Sequence, residues 1–338
     1  MMKRNNPTRL TDFYSDRKGQ YIKSTSDELF LKKLNKLLYR EELSYYQDLE
    51  INYPFIFVFG PPRSGTTLIT QVIAHCFDIG YINNFAARFF LAPLHGLRLS
   101  DMILGNRKHT NFQSNFAHTD DPTDIHEFGY FWRHWLKKED INGIIKSEQV
   151  EEEIDWPMLT KILANVQNHF NKGLVFKNIF GSYHLQRLTG ELKKVIFVYI
   201  TRDMADAAVS ILCARRKYYK DPNTWWSYMP KEYYQIKDLN YMDQIAGQVY
   251  YLKKYYDAET DRLSNVVKVT YTELANNPKN VLNRINLLSR QHYNYDFPIM
   301  NDPPAQFPLS KYPDSPEKKQ FQTLIDELIR NDTKGVNK

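Results

Sequence analysis

Cysteine is nearly absent from this sequence: Cys76 and Cys213 are the only two among 338 residues. Two thiols build neither a disulfide framework nor a cysteine-ligated metal site, so the chain must hold itself together through a packed core. Long apolar runs are missing as well. The longest, Pro54–Gly60 and Val195–Ile200, are strand-sized and fall well short of the roughly 18–20 residues that a bilayer span needs. No apolar segment follows the basic start Met1-Met2-Lys3-Arg4, which argues against a secretory leader and for a cytoplasmic protein. Nor is there a block of like charge: 45 Lys and Arg against 39 Asp and Glu leave a net +6 spread along the chain. That excess suits a small anionic ligand and gives no reason to expect a nucleic-acid partner.

What is present reads as a globular α/β protein, with 42% hydrophobic and 25% charged residues. Aromatics reach 14%, with 24 Tyr, enough for a large core or an aromatic-lined cleft. Residues 1–23 are polar and read as a loose arm; Ser24-Thr25-Ser26-Asp27 then starts a helix running to about Leu49. Apolar runs at 54–59, 174–176 and 195–200, with shorter ones at 79–82 and 265–269, read as strands. Helical stretches at about 66–77, 124–138, 150–170, 182–191, 203–217 and 240–262 separate them. Strands alternating with helices predict a three-layer α/β/α architecture around a central parallel sheet, with helical additions. The expected divisions are an arm and helix over 1–50, the α/β domain over 51–295 with an inserted segment at 100–140, and a proline-rich crossover with a short terminal helix over 296–338.

The most informative segment is Phe59-Gly60-Pro61-Pro62-Arg63-Ser64-Gly65-Thr66-Thr67-Leu68. A strand feeding a glycine-bounded loop that opens a helix aims several backbone N–H groups and the positive helix end at one point. The spacing from Gly60 to Gly65 is that of a triphosphatase phosphate loop, but Thr66 stands where the lysine on the β/γ-phosphates belongs. The cation is Arg63, inside the loop. The expected ligand is a phosphate-bearing nucleotide whose reacting group is not a magnesium-bound γ-phosphate. At the end of a later strand comes Thr201-Arg202-Asp203, and Ser210 follows eight residues after Arg202. An arginine fork and a hydroxyl meeting at a strand's carboxyl end suit a second, isolated phosphate.

Together these elements resemble the sulfotransferase family that uses 3′-phosphoadenosine 5′-phosphosulfate (PAPS). In that family a Pro-Lys/Arg-Ser-Gly-Thr-Thr loop holds the 5′-phosphosulfate, and Arg-x7-Ser after a later strand holds the 3′-phosphate. The resemblance is to the bacterial and Golgi-type branch, covers about 52–290, and implies a P-loop NTPase-like sulfotransferase fold. It assigns Arg63, Ser64, Gly65, Thr66, Thr67 and Leu68 to the phosphosulfate side, with Arg63 on the leaving phosphate. Arg202 and Ser210 fall to the 3′-phosphate, and Tyr271, in Val269-Thr270-Tyr271-Thr272-Glu273-Leu274, to the adenine. The implied co-substrate is PAPS, the implied product 3′,5′-adenosine bisphosphate (PAP), and no metal is required. The partner is a hydroxyl-bearing acceptor: a glycan, a lipid or a polyketide-like molecule.

Four departures stand out. Leu68 replaces the tryptophan that stacks on adenine in many cytosolic members, so adenine packing must come from elsewhere. Lys177 is kept at a strand end, but Ile179 stands where a catalytic histidine would fall. Relatives of the tyrosylprotein type carry a catalytic glutamate where this chain has Asn83 and Asn84. The Arg-Lys-Gly loop over the 3′-phosphate is not visible, and Lys311 is its stand-in. Sulfuryl transfer is an in-line displacement that needs a base for the acceptor hydroxyl and positive groups on the leaving phosphate.

The candidate bases lie in Ala117–Tyr130, on the insertion expected to overhang the cleft: Glu127 and His126 first, then His118. Lys177 is the candidate for reaching the sulfonate or the acceptor. A helix starting near Asp124 would place Glu127 in its first turn. A zinc site from His118, Asp120, Asp124 and His126 matches no ligand spacing. Trp132, Trp135, Trp225 and Trp226 are candidates for stacking on an acceptor or for packing. Two other classes stay open on the residues alone: a phosphotransferase or NTPase with an atypical loop, and a catalytically silent PAPS- or PAP-binding protein.

Overall fold

The computed structural model of the chain describes residues 16–105, 107, 112, 119 and 121–336. Helix α1 (Thr25–Tyr45) precedes β1 (Phe55–Phe59), and α2 (Thr66–Cys76) leads to the two-residue strand β2 (Gly80–Tyr81). Helices α3 (Pro93–Leu104), α4 (Gly129–Trp135), α5 (Ile141–Ile145), α6 (Ser147–Val150) and α7 (Trp156–Phe170) lie between β2 and β3 (Leu174–Lys177). Then come α8 (Leu185–Leu192), β4 (Val195–Thr201), α9 (Met204–Tyr219), α10 (Tyr233–Ile236) and α11 (Tyr241–Thr260). Strand β5 (Val266–Thr270), α12 (Tyr271–Asn276), α13 (Pro278–Tyr293) and α14 (Pro316–Val336) complete the order.

All five strands are parallel, in the order β2-β3-β1-β4-β5. The chain adds strands first on one side of β1 and then on the other. Connections therefore leave in opposite directions and a crevice opens at the carboxyl ends of β3, β1 and β4. Both faces of the sheet are covered, which is why unbroken apolar runs encode its strands. Phe55, Phe57 and Phe59 of β1 join one core with Phe176, Phe197 and Tyr199; Ile56 and Val58 join the other with Val175, Ile196 and Val198. The aromatic face packs against α4, α7, α8 and α11, where Phe57 meets Trp132 edge-on at 5.6 Å. The aliphatic face packs against Ile69, Val72 and Ile73 of α2 and Val281, Leu282 and Ile285 of α13. Removing a ring such as Phe57 from this centre by substitution with alanine is expected to cost about 3–5 kcal/mol.

The architecture is the expected three-layer α/β/α one, and each predicted strand is present. Three local readings are corrected. The helix expected from Asp124 starts only at Gly129, because Phe128 takes a left-handed backbone (φ 54°) and Ile125 is bridged to Asn83. The terminal helix is 21 residues long rather than short. It carries an apolar stripe (Phe321, Leu324, Ile325, Leu328) that packs on α9 and α11. Helices α3, α12 and α13 lie where none is expected. Of the polar insertion, His118 and Asp120 fall outside the described residues. No helix among the described residues is long and apolar enough to cross a membrane.

Candidate active site

The β1–α2 loop is built on two glycines with steric reasons. A Cβ at Gly60 would stand 2.1 Å from the Ile200 carbonyl oxygen and 2.6 Å from Ser64 Oγ. Gly65 has φ +102°, and a Cβ there would lie 2.7 Å from the Tyr271 ring. Between them Arg63 holds a left-handed backbone at φ 69°, a conformation that costs a non-glycine residue roughly 1–2 kcal/mol. Gly65 is also the N-cap of α2 and offers no side chain, so the first amides of that helix receive no side-chain cap. Helix α9, by contrast, is capped by Asp203, which accepts from the Asp206 amide at 2.8 Å. The positive end of α2 therefore faces the crevice.

The second half-site reaches into the first. Arg63 Nε donates to Ser210 Oγ at 2.8 Å. Arg202 Nη1 donates to the Arg63 carbonyl at 3.4 Å, and its Nη2 donates to the Ser310 carbonyl. The Arg202 guanidinium lies 4.9 Å from the Tyr271 ring centre and 5.9 Å from that of Tyr312. Arg202 Nε and Ser64 Oγ are buried without a hydrogen-bond partner among the described residues. Burial pulls the Arg63 pKa down; the nearby Arg202 charge works in the same direction, against an opposing contribution from Tyr312. Two adjacent cations and two unused donors form a pocket whose chemistry calls for an anion.

At the end of β3, Lys177 is almost fully buried; its Nζ donates to Thr67 Oγ1 at 2.8 Å and forms an ion pair with Glu127. The register that sets Val58 opposite Lys177 brings this ammonium beside the loop. Glu127 arrives on the segment before α4, which is fastened to the end of β2. The Asn84 amide group donates to the Asp121 carbonyl at 2.8 Å, and the His126 amide donates to the Ile82 carbonyl at 2.9 Å. Asn83 and Asn84 are thus staples for the segment that delivers the carboxylate. His126 Nδ1 accepts from the Phe128 amide at 2.8 Å, so the neutral ring carries its hydrogen on Nε2.

These groups line one cleft of about 430 Å³. Arg63, Gly65, Thr66, Thr67, Leu68, Glu127, Lys177, Arg202 and Tyr271 are in its wall, with Glu127 the single carboxylate among its described lining residues. Ser64 and Ser210 lie buried beside it, and His126 does not line it. Sequence reasoning missed Phe112, Tyr228 and Ser310, which are brought in by loops distant in sequence. Of the four candidate tryptophans, Trp226 faces the cleft, while Trp132, Trp135 and Trp225 are buried. A contiguous cavity of about 250 Å³ shares Arg202, Tyr271 and Ser310 and adds Lys311 and Lys318.

A parallel sheet whose β1–α2 loop and β4 end direct their donors at one cleft, without the triphosphatase lysine, defines a phosphate-loop protein of the α/β/α class. The family model described as "Sulfotransferase family" matches residues 54–287, and the chain belongs to that family. No curated protein matches it. Among solved structures the chain is similar to the sulfotransferase STF1 from Mycobacterium tuberculosis H37Rv (type1 form). That match has 16% identity and a TM-score of 0.49, over 88% of this chain and 80% of that one. It is also similar to the sulfotransferase STF9 from Mycobacterium avium, with 12% identity and a TM-score of 0.47, over 96% and 90% of the two chains.

Proposed function

We propose that the chain moves the sulfonate of PAPS to a hydroxyl of a glycan, lipid or polyketide-like acceptor. The observation that carries this reading is the junction of Arg63, Ser210 and Arg202, which joins two strand-end anion pockets into one cleft. In this reading the amides at the start of α2, Ser64, Thr66, Thr67 and Lys177 surround the 5′-phosphosulfate. Arg202 and Ser210 hold the 3′-phosphate, with Lys311 on the open side. Arg63 donates to Ser210 from within the phosphate loop, so in this reading it serves both phosphates from between them. The adenine packs among Leu68, Phe112 and Tyr271, which supplies the ring that Leu68 does not.

Glu127 takes the base role ahead of His126 and His118, because its carboxylate faces the ammonium that belongs beside the sulfonate. It accepts the acceptor proton as the new O–S bond forms. The bond from sulfur to the 5′-phosphate oxygen breaks, and PAP leaves with the added negative charge on that phosphate. The α2 amides and Lys177 stabilise that charge.

Calorimetry with PAP and with 5′-AMP on Arg202→Ala tests the assignment. PAP affinity is expected to fall by roughly 2–4 kcal/mol, about 30- to 1000-fold, while 5′-AMP affinity stays within a few-fold. Unchanged PAP affinity sinks the 3′-phosphate pocket, and with it the donor.

A further inference from the structure

At the amino ends of the strands, two histidines paired with carboxylates accompany an arginine. The Gln167 side chain binds the Asn52 and Tyr53 backbone just ahead of β1, and the end of α7 leads directly into β3, so this end of α7 lies at the strands' amino ends. There, α3, α7 and the segment after α1 enclose a groove of about 210 Å³ lined by Tyr45, Gln47, His95, Arg98, Asn168 and His169, among others.

His95 is oriented by Glu42, a fully buried carboxylate on α1, through Nδ1 at 2.5 Å. Glu42 is itself fixed by the Leu94 and His95 amides at 2.7 and 3.2 Å and by the Tyr46 hydroxyl at 2.9 Å. His169 Nε2 lies 3.0 Å from Asp101. The His95 ring is thus fixed by its hydrogen bond to the buried Glu42, while His169 pairs with the half-exposed Asp101, and each ring has its other nitrogen left for a ligand. Arg98 sits one turn from His95 on the same face of α3. It is exposed and makes no ion pair with any described residue. No carboxylate is among the groove's described lining residues. The Arg98 guanidinium, side-chain amides and the two imidazoles, each of which in its imidazolium form keeps one N–H for the groove while the other faces a carboxylate, form a donor set for an oxyanion.

We infer that this groove is a second anion site, independent of the cleft, that takes a tetrahedral oxyanion: inorganic sulfate or phosphate, or the head of a monoester. Tyr45 and Leu94 give a monoester's organic part an apolar wall.

The test is calorimetric titration of the full chain with inorganic sulfate, inorganic phosphate and p-nitrophenyl sulfate, with and without saturating PAP. One-to-one binding that survives PAP, survives Arg202→Ala, and weakens at least tenfold in Arg98→Gln is the expected result. Arg98 is exposed and has no hydrogen bond or ion pair among the described residues, so that variant is expected to keep the parent's melting temperature. His95→Gln, which loses the ring, is expected to weaken binding as well. Tighter binding of the ester than of free sulfate assigns the groove to monoesters; equal binding assigns it to the free ion. Absence of saturable binding in the presence of PAP, or equal binding by Arg98→Gln, overturns the site. Neither result bears on the donor reading, which rests on PAP and Arg202.

Discussion

Arg63 Nε donates to Ser210 Oγ at 2.8 Å, across 147 positions of sequence, so a loop between β1 and α2 is tied to the middle of α9. The bond does more than anchor a side chain. It joins the phosphate-loop cation to the hydroxyl assigned to the proposed 3′-phosphate pocket. Ser210→Ala removes a donor from the proposed 3′-phosphate site and releases the Arg63 fork. PAP binding is expected to weaken about 5- to 30-fold, the equivalent of roughly 1–2 kcal/mol. Ser210→Thr, which keeps the hydroxyl, should recover part of the loss. Equal losses in both variants, measured by calorimetry, would point to packing in α9 instead.

The Lys177–Glu127 ion pair makes a separate claim. If Glu127 accepts the acceptor proton, Glu127→Gln keeps the shape and removes the base. Turnover is expected to fall about 10²–10⁴-fold with PAP affinity unchanged. Lys177→Met should lower turnover too, and the double variant should lose less than the product of the two, because the pair acts as a unit. Near-normal turnover in Glu127→Gln would move the base to another group.

Part of this was legible in the sequence. Strands buried on both faces announce themselves as unbroken apolar runs, and the glycines of the phosphate loop sit at fixed spacing. Arg202 and Ser210 follow a strand end, where the topology must bring ligand and donor together. The position of Glu127, the proposed base, was only half legible. The local pattern around Asp124 is helical, yet bridge pairing of Ile125 to Asn83 and the left-handed Phe128 turn it into an extended segment that carries Glu127 to Lys177. No local signal encodes that contact, because its partner is fifty residues away in β3. The same holds for Phe112, Tyr228 and Ser310, whose place in the cleft depends on loop packing. The length of α14 could have been read: Phe321, Leu324, Ile325 and Leu328 recur at helical spacing.

The wall opposite the phosphate loop depends on one buried amide. Gln248 Nε2 donates to the Trp226 and Tyr228 carbonyls at 2.9 and 2.7 Å, on either side of Ser227, which holds a left-handed φ of 73°. Beside it the buried Arg215 donates to Gln244 Oε1 at 2.8 Å and lies 5.1 Å from the Trp225 ring. Gln248→Leu leaves one buried and one part-buried carbonyl without this donor, at about 1–3 kcal/mol for each unsatisfied group. Thermal unfolding should show a loss of roughly 2–4 kcal/mol, with PAP affinity in the surviving folded protein preserved. A loss under 0.5 kcal/mol would mean that water replaces the amide and the wall is not held by Gln248.

A buried lysine makes the stability depend on pH. Lys138 Nζ donates to the Gly143 carbonyl at 2.7 Å and to Ser147 Oγ at 2.6 Å, and its side chain has no exposure to solvent. Burial pulls its pKa down to about 7; the nearby Lys231 charge acts in the same direction, while Glu151 and Glu148 oppose it. Unfolded lysine titrates near 10.4, so between about pH 7 and pH 10 unfolding takes up a proton that the folded chain lacks. Stability attributable to this group therefore rises with pH across that window, by up to about 1.4 kcal/mol per pH unit. Below about pH 7 both states carry the proton, and the contribution is flat. Lys138→Met removes the titrating group and should flatten the difference between the two proteins' unfolding free energies against pH. Denaturant titrations at pH 6, 7, 8 and 9 provide the comparison. A parent and variant whose curves run parallel through that range would show that Lys138 keeps an ordinary lysine pKa despite its burial.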